Sequence, residues 1–259
     1  MDIIKHNKNA WNREVENGNR WTVPVGSREI ARARQGEWSI VLTPAKPVPD
    51  SWFPELSGLE VLCLASGGGQ QGPILAAAGA RVTVMDNSPR QLAGDRLVAE
   101  RESLIIDTIE GDMAAAFPFA DETFGLIVHP VSNIFIEHTQ PVWNECFRVL
   151  KHGGSLLSGM TNPAVYLFDW KMIEEQGIMQ VKYHLPYSDI ASLDEADRQK
   201  LIEREEPVEF SHTLEELIGG QLQAGFVITG FYEDACPTED DDLLSQYMQP
   251  FFATRALKP

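Results

Sequence analysis

The chain has 259 residues, 43% of them hydrophobic and 23% charged, with a formal net charge of −17. These values exclude a disordered, collagen-like or coiled-coil chain, and no apolar stretch reaches the ~18 residues of a membrane-spanning helix. With 38 acidic residues against 21 basic ones and no basic run, a nucleic-acid substrate is not expected.

The first twenty residues hold no apolar core of a secretory signal. Cys63, Cys146 and Cys236 are odd in number and widely spaced. They suggest neither a disulfide framework nor a metal site, so the expected compartment is a reducing cytoplasm. Residues 1–57 read as an N-terminal extension with helices around 8–17 and 26–36. Four prolines in TPAKPVPDSWFP (43–54) interrupt helix and strand ladders and make it an extended connector. Four of the six tryptophans (Trp11, Trp21, Trp38, Trp52) fall in this extension. They either pack on the outside of a core or form a lid over a ligand.

From residue 58 to 259 the pattern is that of a main domain. Strands are predicted at 59–65, 81–85, 103–110, 124–129 and 155–160, with helices at 72–78, 89–100 and 141–150 between them. Short apolar runs alternating with helices predict an α/β, doubly wound, mostly parallel sheet covered on both faces. Its ligand would lie at the C-terminal strand edge. Residues 161–212 break the alternation and read as a cap insertion. They contain VKYHLPYSDI (181–190) and a helix opened by a Ser192/Glu195 capping box. A second capping box, Thr213/Glu216, opens a helix that Gly225 stops. Strands at 226–232 and 251–257 close the chain. The acidic runs at 205–209 and 239–242 read as solvated loops.

The sharpest motif is VLCLASGGGQQGP (61–73), a strand that runs into glycines and then a helix. Gly67-x-Gly69-x-x-Gly72 satisfies the nucleotide-binding fingerprint in the right context. Asp86, nineteen residues past Gly67 at the end of VTVMD, is placed to accept from both ribose hydroxyls of an adenosine-type cofactor, with Asn87 beside it. At this point NAD(P) and S-adenosylmethionine (SAM) fit equally well. The third strand ends in Glu110-Gly111-Asp112-Met113, where Asp112 can accept from an adenine amino group and Met113 can pack on the ring.

Together these segments resemble the class I SAM-dependent methyltransferases over about 58–160, and more weakly over 205–257. VLCLASGGG resembles the first motif of that family, VTVMDNS its ribose-binding strand end and GDM its adenine-binding turn. FGLIVHPVSN resembles its fourth motif, and RVLKHGG is similar to its RVLKPGG stretch. The resemblance implies a Rossmann-like seven-stranded sheet with an antiparallel last strand, and SAM held by Ala65, Ser66, Gly67, Gly69, Asp86, Asn87, Asp112, Met113 and His129. The chain departs from the family at Cys63, where an acid is usual, and at Ala65, where a glycine is usual.

Methyl transfer from a sulfonium needs alignment and exclusion of water, with a general base only where the acceptor must lose a proton. The sequence has no NPPY or DPPY stretch. A small-molecule methyl acceptor is therefore expected, with no nucleic acid, metal or membrane involved and a homodimer left open. His129, Tyr183 and His184 are the candidates for catalysis, and Ser132, Asn133, Tyr166 and Tyr187 for holding the acceptor. The competing readings are a non-catalytic SAM-binding regulatory module and an NAD(P)-dependent oxidoreductase.

Overall fold

Val61, Leu62, Cys63 and Leu64 are all fully buried, as a strand covered on both faces requires. They form β1 (Glu60–Leu64) in a computed structural model that describes all 259 residues. The other strands are β2 (Arg81–Asp86), β3 (Ile106–Glu110), β4 (Phe124–His129), β5 (Leu150–Thr161), β6 (Val227–Asp234) and β7 (Phe251–Leu257). The sheet order is β3-β2-β1-β4-β5-β7-β6. β1 to β5 pair in parallel, and β7 runs antiparallel between β5 and β6. This is the architecture that the motif resemblance implies.

Side chains alternate between the two faces with the period of the pleat. Leu62, Leu64, Ile127 and Leu156 join one core, which also holds Trp143 and Val149 of a helix at Gln140–Val149. Val61, Cys63, Val84, Leu126 and Val128 join the other, with Leu75 and Leu92 from helices at Gln71–Ala77 and Pro89–Glu102. Each fully buried large side chain contributes about 1.5–3 kcal/mol of transfer free energy. On this second face no crossover helix covers the β5-β7-β6 end of the sheet. Residues 40–56 cover it instead, through Leu42, Val48 and Trp52. Trp52 lies 5.3 Å from the Tyr232 ring, and a Cβ on Gly230 would come within 2.6 Å of its indole. The two roles considered for the N-terminal tryptophans are thus divided. Trp38 packs on Phe53 and Trp52 on the sheet, whereas Trp11 and Trp21 line the cavity described below.

Several boundaries differ from the sequence expectation: the first helix begins at Ile3, not 8, the second spans Ser27–Ala33, and β3 begins at Ile106, not 103. β5 begins at Leu150, not 155, because Leu150 pairs with Phe124 and a register shift before Leu126↔Ser155 absorbs the following glycines. The cap helix spans Glu195–Glu203 and is capped by Asp194, which accepts from Asp197 N at 2.9 Å. Ser192 instead ends a short helical turn, Asp189–Ser192, and its hydroxyl accepts from Ser188 N. The Thr213/Glu216 box forms as expected, with reciprocal bonds of 2.8 and 3.1 Å.

Candidate cofactor and acceptor site

The β1 turn is locked from below by two carboxylates. Ala65 leaves the strand at φ 45°, a left-handed conformation that normally favours glycine. Gly67 N donates to Asp86 Oδ2 at 3.0 Å, and Gly68 N donates to Asp95 Oδ2 at 3.1 Å. A Cβ on Gly67 would lie 2.7 Å from Gln91 Cβ, and one on Gly68 would lie 2.8 Å from Gln91 Oε1. Only glycines let the loop sit this close to the helix Pro89–Glu102. Asp95 projects from that helix, is completely buried, and its Oδ1 has no partner. Burial raises its carboxyl to about 7, against the pull of the Gly68 and Gly69 amides. Asp95 supports the loop from behind and does not line the cavity, so it does not stand in for the family acid absent at Cys63. The Cys63 thiol lies beneath the loop, where burial and the nearby Asp95 push its ionisation far up.

This hydrogen bonding discriminates between the two adenosine cofactors. A dinucleotide fold offers its loop amides to a pyrophosphate. Here the amides of Gly67 and Gly68 already donate to carboxylates and are not free to cradle a pyrophosphate. A cofactor without phosphates and with a positive charge is compatible with them.

Asp86 ends β2, is 8% exposed and also accepts from Ser88 N at 2.9 Å. Burial raises its carboxyl while the amides of Ser88, Gly67 and Asn87 oppose the rise. A cavity of about 570 Å³ opens beside it. Ala65, Ser66, Gly67, Asp86, Asn87, Asp112, Met113 and Ser132 line it together. Ser66 Oγ donates to Gln71 Oε1 at 3.2 Å, and Asp112 is oriented by Ala114 N at 2.9 Å. The donor set fits SAM: an acid at the β2 end for the ribose, an acid and a thioether at the β3 end for the adenine, and no basic cradle for phosphate.

Other sequence candidates are not brought to the cavity wall. Gly69 lies behind the loop, with its carbonyl held by Val25 N at 2.9 Å. His129 is fully buried. Its Nδ1–H donates to Leu64 O at 3.0 Å, and its Nε2 lies 3.0 Å from the Asn133 side-chain amide. Burial lowers its pKa; with Nδ1 protonated, Nε2 accepts once the Asn133 amide is turned so that its otherwise unpartnered NH2, and not Oδ1, faces the ring. His129 and Asn133 therefore tie β1 and β4 to the following turn and do not reach a ligand. Tyr166 and Tyr187 stack at 5.3 Å in a separate apolar cluster, with Tyr183 edge-on to Tyr187. His184 is exposed. The strand pattern places His129 and Asn133 after β4 and Tyr166 after β5, with Tyr183, His184 and Tyr187 in the insertion, but it does not say which way each side chain turns.

Three groups outside the expected cofactor and acceptor residues also line the cavity, among them Trp11 and Trp21, for which the sequence left a lid open. The helix Ile3–Asn17 contributes Ile4, Trp11 and Glu14. Asn7 anchors it by donating to Phe135 O (3.1 Å) and Val208 O (3.0 Å) and accepting from Val208 N (2.8 Å). Residues 20–23 clamp the glycine loop, as Gln70 Nε2 donates to Arg20 O and Val23 O. Arg20 is the one basic residue on the cavity wall, and Asp240 holds it with two bonds of 2.6 Å. Finally, Glu206 and Glu209 enter the wall from the acidic run read as solvated. The only signal for Glu209 is its place between Val208 and Phe210, which are both buried.

Comparison with known proteins agrees with this geometry. A family model described as a methyltransferase domain matches residues 62–158. A Bacillus subtilis protein described as an uncharacterized methyltransferase, YbaJ, is 52% identical over 256 residues, covering 99% of this chain and 98% of its own length. The fold is shared with a SAM-dependent methyltransferase from Mesorhizobium loti (TM-score 0.62, 17% identity, 80% of this chain and 94% of that one). It is also shared with a putative one from Listeria monocytogenes (TM-score 0.62, 16% identity, 81% and 94%).

Proposed function

Since this chain belongs to the class I SAM-dependent methyltransferases, we propose that it methylates a small molecule held in the cavity over the C-terminal strand edge. The observation that carries this reading is the roof. The helix Ile3–Asn17 and residues 206–209 wall a volume of about 570 Å³, within the range of small-molecule sites. Residues 1–57 then act as an extension whose first helix is a lid, and 161–212 as a cap. No helix is long and apolar enough to cross a membrane.

SAM supplies a methyl group already activated by its sulfonium. The residues of this chain bind and align. Asp86 holds the ribose hydroxyls, Asp112 the adenine amino group, and Met113 packs on the ring. Gln71, tied to Ser66 and to Val41 O at 3.2 Å, offers polar atoms near the methionine end. Trp11, Phe135 and Ile136 exclude water from the acceptor side, which strengthens every electrostatic contact inside.

The test is calorimetric titration with SAM and with its demethylated product S-adenosylhomocysteine, using NAD and NADP as controls. Micromolar binding of the first pair, lost in Asp86→Ala, is the expected result. Binding of a nicotinamide cofactor in its place would overturn the reading.

A further inference from the structure

Glu209 is the least explained group in the molecule. The amide of its neighbour Phe210 donates to Ile134 O at 2.7 Å, in the turn that follows β4. Its Oε2 accepts from the Tyr166 hydroxyl at 2.6 Å, in the turn that follows β5. Its own amide donates to Asp189 Oδ2 at 2.6 Å, and its carbonyl accepts from Asp189 N at 3.1 Å. The carboxylate is thereby fixed over the ends of β4 and β5, while Asp86 and Asp112 mark the ends of β2 and β3 on the same cavity. Oε1 has no hydrogen-bond partner in the protein, and no basic side chain pairs with the carboxylate. The same wall carries Ile4, Trp11, Ile134 and Phe135 together with Glu14 and Glu206. Glu209 is half-buried, and a carboxylate with no counter-charge on a cavity wall is a candidate functional group.

We propose that Glu209 is the general base of the reaction and that the acceptor therefore reacts through a protic oxygen or nitrogen, as in a phenol, an enol or an amine. This rests on the methyltransferase reading above. The lone pair of the acceptor atom forms the new bond to the methyl carbon. The electron pair of the breaking C–S bond stays on sulfur, and the acceptor proton passes to Glu209 Oε1. Tyr166, placed among the acceptor candidates by the sequence, acts through Glu209 as a positioning residue.

The groups that face Glu209 set its working range. Burial and Asp189 raise its carboxyl to about 7, and the Tyr166 hydrogen bond opposes them. Asp189 is itself raised by burial and held by the Tyr187 hydroxyl at 2.7 Å. A base of this strength suits proton transfer near neutral pH.

The experiment uses the full chain with methyl-labelled SAM and a set of small phenols, enols and primary and secondary amines, with thiols and carbon acids alongside. The wild type is expected to label oxygen or nitrogen, with kcat rising as pH increases through about 7 and Glu209 deprotonates. Glu209→Gln should lower kcat about 100-fold or more, abolish that pH limb and leave S-adenosylhomocysteine affinity within about threefold. Glu209→Asp should keep the limb at reduced kcat. Tyr166→Phe, which preserves packing, should move the limb to higher pH. A carboxyl carbon titrating near 7 by NMR, absent in Glu209→Gln, is the readout that needs no acceptor. An unchanged kcat in Glu209→Gln would overturn the proposal. So would a limb unmoved by Tyr166→Phe, label found only on carbon or sulfur, or no labelling of the set by a protein that binds SAM. Failure to bind SAM at all would instead overturn the methyltransferase reading.

Discussion

Replacing Asp95 by Asn should alter the pH dependence of stability more than stability itself. In the folded chain this carboxyl is raised from 3.8 to about 7 by burial beneath the glycine loop. A raised carboxyl binds its proton more tightly in the folded state than in the unfolded one. Its contribution is therefore complete below about pH 4 and is lost as pH rises through about 7. The interval corresponds to roughly 4 kcal/mol between these limits, and about 2–4 kcal/mol is expected once the polar loop amides relax around the charge. Asparagine keeps an acceptor for Gly68 N and removes the titration. Its amide NH2 occupies the place of Oδ1, which has no partner, and leaving that donor unpaired costs about 1–3 kcal/mol at every pH alike. Urea unfolding at about pH 5 and about pH 8.5, read as midpoint with slope, separates the two effects. Part of the contribution is already lost at pH 5, so the variant should gain about 2–3 kcal/mol on the wild type between the acid and the alkaline measurement. Parallel pH profiles for the two proteins would refute the buried-acid account of the loop.

Three further outcomes follow from the same geometry. Ala65→Gly relieves a left-handed alanine at φ 45°. After the entropy cost of glycine it should raise stability by about 0.5–1 kcal/mol in urea unfolding, and a loss of that size would count against strain at this residue. Asn7→Ala strips partners from the Val208 backbone and Phe135 O, so it should cost about 2–3 kcal/mol and speed tryptic cleavage at Arg13 and Arg20. Saturating S-adenosylhomocysteine should slow cleavage at those arginines several-fold in the wild type, because ligand binding favours the closed form; unchanged cleavage would argue against a lid.

The parts of this molecule that were legible in the sequence are those written in local periodicity. β1 appears as an unbroken apolar run, the loop as consecutive glycines, and Asp86 and Asp112 as acids at strand ends, and all of these take their expected places. The two most informative carboxylates, Asp95 and Glu209, were not legible. Asp95 lies in a helix most of whose charged residues are exposed, and it is buried against the glycine loop, where it accepts from Gly68 N and where a Cβ on Gly72 would lie 3.2 Å from its Oδ1. Glu209 ends a five-residue acidic run whose composition says solvent, yet the chain there is extended and turns alternate side chains inward. His129 shows the opposite error. As the last residue of a strand it should reach the ligand edge, but the Leu64 carbonyl draws the ring back into the core. Ser192 failed as a cap because a tighter turn had already used its hydroxyl.

The wall of the cavity carries Glu14, Asp86, Asp112, Glu206 and Glu209 against a single arginine already paired with Asp240. In a site of low dielectric that arrangement favours a ligand bearing positive charge and opposes an anionic one. It also bears on the direction of the reaction. Before transfer the closed site would hold a sulfonium and an ionised Glu209. Afterwards, if Glu209 has taken the acceptor proton, it would hold a neutral thioether and a neutral carboxylic acid. Two charges that are expensive to keep out of water are removed together, at the cost of their mutual attraction across the cavity. The product complex loses the charge that drew the cofactor in, and reopening only requires Glu209 to return its proton to solvent. A base raised to about 7 would be strong enough to take the proton during transfer and weak enough to give it up at neutral pH, so the partial burial that raises Glu209 would also let it reset.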